Sequence, residues 1–173
     1  MATLEKRPGT LSPLQPQARP DGAVEAGIRR LGPSLSRLVA ETAGAFFSSQ
    51  AGVEAAWDAP RLDGDALHCS QRNVGEKFEL LCNLSADREE YARLFPAGVP
   101  ESIRLDAYCE LANCVCGAIL ADGQFEGEFG YLIPCVPCSG IGRVPAGARA
   151  LYGAFRLKGA WIRFTLAIRD TAA

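Results

Sequence analysis

Few side chains in this 173-residue sequence are of types that carry chemistry, and the most telling group lies between Asp106 and Gly117. On a helix stepping about 100° per residue, Asp106, Glu110, Asn113 and Gly117 fall within an arc of roughly 60°. Every other residue from Ala107 to Leu120 is apolar or Cys. Such a helix presents one narrow row of two carboxylates, a carboxamide and a gap where a side chain is missing. A carboxylate can pair with a cation, a carboxamide can orient a water molecule, and a glycine admits close approach. The rival reading is the solvated edge of a core helix. An edge of that kind usually mixes Lys, Arg, Glu and Gln, whereas Asn in mid-helix competes for backbone hydrogen bonds and lowers helix stability. That cost points to a use.

Seven cysteines invite a metal or redox reading. Cys114 and Cys116 stand about 200° apart around a helix and cannot face one ion, while Cys109 and Cys116 share a face but lie roughly 10 Å apart along the axis. Cys135 and Cys138 form a C-x-x-C, yet a zinc site needs a second pair and a redox site needs a helix N-terminus. Packing is the expected role of Cys109, Cys114 and Cys116, and no metal ligands are assigned. The single histidine, His68, has no neighbours spaced as in a catalytic triad. Gly140-Ile141-Gly142 lacks the strand and helix that a phosphate-binding loop requires.

The elements that must position the row follow from periodicity. Residues 1–22, with Pro8, Pro13, Pro16 and Pro20, read as a disordered tail, and residues 23–173 as a single domain. Ile28, Leu31, Leu35, Leu38, Val39 and Phe46 keep a helical spacing from about Ala23, with a break allowed at Gly32-Pro33 and Gly52 as a stop. Two short strands, Ala66–Cys69 and Lys77–Cys82, are expected to pair as a hairpin, with Gly64, Asn73 and Gly75 as turn signals. Ser85 is read as the N-cap of a helix ending near Phe95-Pro96. Pro100-Glu101 opens the long helix that carries the row and runs to Gly123. Phe125, Phe129, Tyr131 and Ile133 alternate with Glu126, Glu128 and Gly130 as a strand would, and a Pro/Cys/Gly-rich loop follows. Strands over 149–157 and 160–168 turn at Gly159, the last with Ile162, Phe164, Leu166 and Ile168 on one face. The order suggests an α+β fold in which an antiparallel sheet is covered by the long helices.

Composition narrows the partners. The sequence is 48% hydrophobic with net charge -2, which excludes low-hydrophobicity disorder for the bulk of the chain. Residues 38–142 carry six Lys/Arg against sixteen Asp/Glu, an acidic middle unsuited to nucleic acid. The longest apolar stretch, Cys114 to Ala121, is far short of a membrane span, and the N-terminal residues lack the apolar core of a secretory signal. A cytoplasmic protein with reduced thiols, no membrane contact and no nucleic-acid partner is expected.

At Asp106-x3-Glu110-x2-Asn113 the sequence resembles the CheX-like chemotaxis phosphatases of the CheC/CheX/FliY superfamily, whose signature is Asp or Ser, then Glu, then Asn at this spacing, followed by glycine in the position of Gly117. Pro134 in Ile133-Pro134-Cys135-Val136 resembles the family's Pro-x-Val segment. The sequence departs at Ala118, where the family often has Asn, and it holds one such helix where CheC-type members hold two, which places it nearer CheX. The resemblance implies a CheX-like fold and an enzyme that removes the phosphoryl group from the aspartyl phosphate of a response-regulator receiver, CheY-like, in two-component signalling. By that resemblance Asn113 orients the attacking water, Glu110 pairs with a receiver lysine, and Asp106 and Gly117 frame the docked partner. It implies no cofactor of the chain's own, the receiver supplying Mg²⁺, and a homodimer edge at the basic C-terminal strands as the rival to a solvated sheet face. The alternative is a non-catalytic module that binds a receiver or other signalling partner through the same helix.

Overall fold

Strands of alternating burial make the frame. In the computed structural model, which describes residues 22–49, 51–54 and 66–171, the strand β2 (Ala66–Gly75) buries Leu67, Cys69, Gln71 and Asn73 in alternation. It pairs antiparallel with β3 (Phe78–Asp87), whose Phe78, Leu80, Cys82, Leu84 and Ala86 join the core. β3 in turn pairs with β7 (Ala160–Asp170), so that Leu80 opposes Ile168 and Leu84 opposes Phe164. β6 (Arg149–Leu157) joins β7 through Lys158 and Gly159, both at positive φ (47° and 91°). Two successive left-handed residues match the twist of a two-residue hairpin. With β1 (Ala51–Glu54), β4 (Leu132–Pro134) and β5 (Cys138–Ser139), the sheet runs β1-β6-β7-β3-β2-β4, antiparallel throughout, with β5 also on β2.

Two helices cover one face. α1 (Gly22–Phe46) lays Leu31, Leu35, Val39, Ala40 and Ala43 into the core against β6, and Pro33 lies within it. α3 (Glu101–Leu120) packs beside α1 and over β2 and β3 through Tyr108, Leu111, Ala112, Val115, Cys116 and Ile119. Each large apolar side chain buried this way contributes about 1.5–3 kcal/mol. That burial sets the rotation of α3 about its axis, and so decides which residues remain outside. The architecture is the expected α+β arrangement of an antiparallel sheet packed on long helices.

Several local expectations are corrected. The first helix ends at Phe46, and Gly52 stands in β1. The hairpin is longer than expected, and Asn73 lies inside β2 with the turn left to Glu76 and Lys77. Ser85 is a strand residue; the cap of the short α2 (Arg88–Ala92) is Asp87, which accepts from the Glu90 amide at 2.9 Å. The long helix stops at Leu120, and residues 123–129 form a separate helix, α4 (Gly123–Phe129), not a strand. Asp122 starts it by accepting from the amides of Gln124 (3.0 Å) and Phe125 (2.9 Å), and Phe125 and Phe129 then share the buried side. The proline-rich loop folds back over β3, where the Asn83 side chain exchanges two 2.9 Å hydrogen bonds with the backbone of Gly142. Residues 1–21, Gly64 and Gln50 lie outside the described residues.

Candidate functional site

The row lies where the wheel predicts. Beyond the first turn of α3 the exposed positions are Asp106, Glu110, Asn113 and Gly117, and Ile103, 53% exposed, continues the same side one turn earlier. The residues between them turn inward or to the helix flanks, so the four site residues form one ridge. Glu110 and Asn113 touch directly: Asn113 Nδ2 donates to Glu110 Oε2 at 3.5 Å, and Cys114 Sγ donates to Glu110 Oε1 at 3.7 Å. A Cβ added at Gly117 would meet nothing within 4 Å. The ridge therefore offers two carboxylates, a carboxamide and a bare stretch of helix backbone, all open to a partner.

Beneath it lie two residues that the sequence reading missed. Gln71, 1% exposed, donates through Nε2 to Asn113 Oδ1 at 3.5 Å and to Asn73 Oδ1 at 3.3 Å. Asn73 donates to the carbonyl of Leu80 (3.4 Å) and to Cys116 Sγ (3.5 Å). A sequence signal existed, since Gln71 and Asn73 continue the inward alternation of Leu67 and Cys69, where carboxamides are out of place. What no sequence spacing shows is that β2 brings them under Asn113.

The thiols divide by burial. Cys69, Cys82 and Cys116 are buried, Cys109 and Cys114 half-buried, Cys135 and Cys138 exposed, and all are free. Burial, with a hydrogen bond that the Cys69 thiol donates to Cys109, pushes the Cys69 thiol well above its ordinary value. The hydrogen bond shared with Cys116, together with burial, does the same for Cys82 and pulls Cys116 the other way. Burial and then the neighbouring Glu110 carboxylate raise Cys114, so the thiol flanking the ridge is a poor nucleophile. Cys109 and Cys114 are thus less enclosed than packing alone predicts, and Cys116 fits that expectation fully. Among the described residues no three His, Cys, Asp or Glu side chains are placed to hold a metal ion. His68 Nδ1 lies 2.8 Å from Ser85 Oγ across the β2–β3 pair, a local strand contact. No described helix is long and apolar enough to cross a membrane.

This architecture, an antiparallel sheet covered on one face by two long helices, is the fold of the CheX and CheC-like chemotaxis proteins. CheX from Vibrio vulnificus superimposes with a TM-score of 0.58 at 15% identity, over 78% of this chain and 96% of that one. A chain of the CheX–CheY–BeF3–Mg²⁺ complex from Borrelia burgdorferi gives 0.57 at 14% identity, over 79% and 96%. A CheC-like superfamily protein from a Shewanella species gives 0.57 at 11%, over 80% and 97%. No family model and no curated protein matches the sequence.

Proposed function

We propose that this chain is a phosphatase for the aspartyl phosphate of a CheY-like receiver and works by docking α3 on the phosphorylated site. The observation that carries the proposal is the exposed ridge of Asp106, Glu110, Asn113 and Gly117 on a chain with the CheX fold. A complex of CheX with CheY, BeF3 and Mg²⁺ among the structural neighbours supports a receiver as the partner. In the reaction a water oxygen attacks phosphorus, the bond from phosphorus to the receiver's aspartyl oxygen breaks, and inorganic phosphate leaves the regenerated carboxylate. The Asn113 carboxamide holds that water in line, the role a glutamine plays in GTPases. Glu110 pairs with a lysine of the receiver, which fixes the register of docking. Gly117 lets the partner approach the helix backbone, and Asp106 bounds the contact on the other side. The receiver supplies Mg²⁺, so the chain itself contributes orientation and charge.

The test is phosphate release from a CheY-type receiver phosphorylated by acetyl phosphate in the presence of Mg²⁺. The wild type is expected to accelerate release, and Asn113→Ala to lose at least about a hundredfold of that acceleration while still binding the receiver. Equal rates for wild type and Asn113→Ala would overturn the water-orienting role. Saturable binding without acceleration by the wild type would instead establish a non-catalytic receiver-binding module.

A further inference from the structure

The carboxamides of Asn73, Gln71 and Asn113 run in a row from the interior of β2 to the exposed ridge of α3. The oxygen and nitrogen ends of such groups are set by their partners. At the inner end Asn73 faces the Leu80 carbonyl, which can only accept, so its Nδ2 turns there and its Oδ1 turns to Gln71. Gln71 must then present Nε2, and the same nitrogen reaches Asn113 Oδ1. At the outer end the Glu110 carboxylate likewise only accepts, and it faces Asn113 Nδ2. Two obligate acceptors at opposite ends of the row demand the same orientation of all three amides. Gln71 is the member that donates in both directions.

Its burial shows that the arrangement is not the cheapest filling of that space. Gln71 is 1% exposed and its Oε1 has no hydrogen-bond partner among the described residues. An orphaned buried acceptor gives up its hydrogen bonds to water without replacement, a loss that a leucine at the same inward position would not carry. We propose that Gln71 is a positioning residue, which holds the Asn113 amide with Oδ1 inward so that Nδ2 faces Glu110 and the docked partner. Its effect on turnover rests on the phosphatase reading, whereas its effect on the Asn113 amide does not. Without it, the exposed Asn113 side chain rotates and its two ends interchange. The fraction of encounters in which a water is held in line then falls, while the docking surface itself is unchanged.

The experiment combines kinetics with nuclear magnetic resonance of the Asn113 side-chain amide in the full chain. With the acetyl phosphate-treated CheY-type receiver and Mg²⁺, Gln71→Leu is expected to lower kcat at least about tenfold and to leave KM within about twofold. A merely structural role would lower stability and leave this split absent, and the melting temperature of Gln71→Leu is recorded as that control. In the wild type the Asn113 amide is expected to be ordered, and in Gln71→Leu its order parameter is expected to fall below about 0.6. A kcat within twofold of wild type overturns the positioning role. If the wild type shows no phosphatase activity, that reading of function fails, and the amide measurement alone then decides the relay. If Gln71→Leu does not fold, the wild type decides it, since a freely averaging Asn113 amide there overturns the proposal.

Discussion

Gly117 lies in the last turn of α3, three residues before its end at Leu120, and glycine within a helix costs up to about 1 kcal/mol relative to alanine. Neighbouring atoms do not demand it, because a Cβ there would touch nothing within 4 Å. An internal packing reason is thereby removed, and an external one remains: the approach of a partner to the helix backbone. Gly117→Ala is accordingly expected to raise the melting temperature by about 2–4 °C, the shift that 1 kcal/mol brings in a chain of this length. The same substitution is expected to weaken binding of the phosphorylated receiver in a titration. A stabilised variant with undiminished receiver affinity would show that the gap has no role in docking. Asn113 presents the complementary case, a residue poor in a helix yet held at both ends of its amide, by Gln71 and Glu110. At this scale the ridge was legible in the sequence because its few polar residues stand in an otherwise apolar helix. Gln71 was not, since its contact with Asn113 spans 42 positions of chain and exists only once α3 lies on β2.

The elements were legible to different degrees, for reasons visible in α4. Phe125 and Phe129 are four residues apart, a spacing that puts two side chains on one face of a strand and also on one face of a helix. The spacing alone cannot separate the two, and the acidic and glycine residues between them suit an exposed strand face equally. Asp122 decides the matter, for it accepts from two amides and satisfies donors that the first turn of a helix leaves free. Loss of that cap by Asp122→Ala is expected to cost about 1 kcal/mol, read as a lower urea midpoint with unchanged slope. A midpoint equal to wild type would mean that Phe125 and Phe129 hold α4 without it. The β6–β7 hairpin, by contrast, was plain in the sequence. Its inward residues recur strictly every second position, and Lys158-Gly159 supplies the turn that the strands' twist requires. β1 escaped notice because four residues ending at Glu54 carry too short a pattern to mark a strand, and it exists by pairing with β6.

Across the whole molecule, protonated thiols and phenols are concentrated in the core between the sheet and its helices. Cys69 and Cys82 project from the sheet, and Tyr91 of α2 meets Tyr108 of α3 edge to face with ring centroids 4.7 Å apart. Burial foremost raises Cys69, Tyr91 and Tyr108, and the hydrogen bond to Cys116 followed by burial raises Cys82. In the unfolded chain these thiols lose their protons near the ordinary 9.0 and the phenols near 10.0. The folded chain keeps them, so folding and proton binding support each other there. Their contribution to stability is therefore complete below about pH 9 and is lost progressively as the pH rises from that value toward the raised folded-state values. Cys116, lowered by its hydrogen bond from Cys82, opposes this, but it is one group against four. The melting temperature is expected to be level from about pH 7 to 8.5 and to fall by several degrees by about pH 10.5. Cys69→Ala and Tyr108→Phe, which remove two of the groups, should flatten that decline even if they lower the starting value. A melting temperature that holds constant through about pH 10.5 would mean that these protons are released equally easily in both states. The alkaline decline concerns the core alone: the ridge of Asp106, Glu110, Asn113 and Gly117 is exposed and lies outside it. Receiver binding measured at about pH 8.5, below the onset of the decline, should consequently match binding at about pH 7, which separates the stability of the frame from the chemistry it displays.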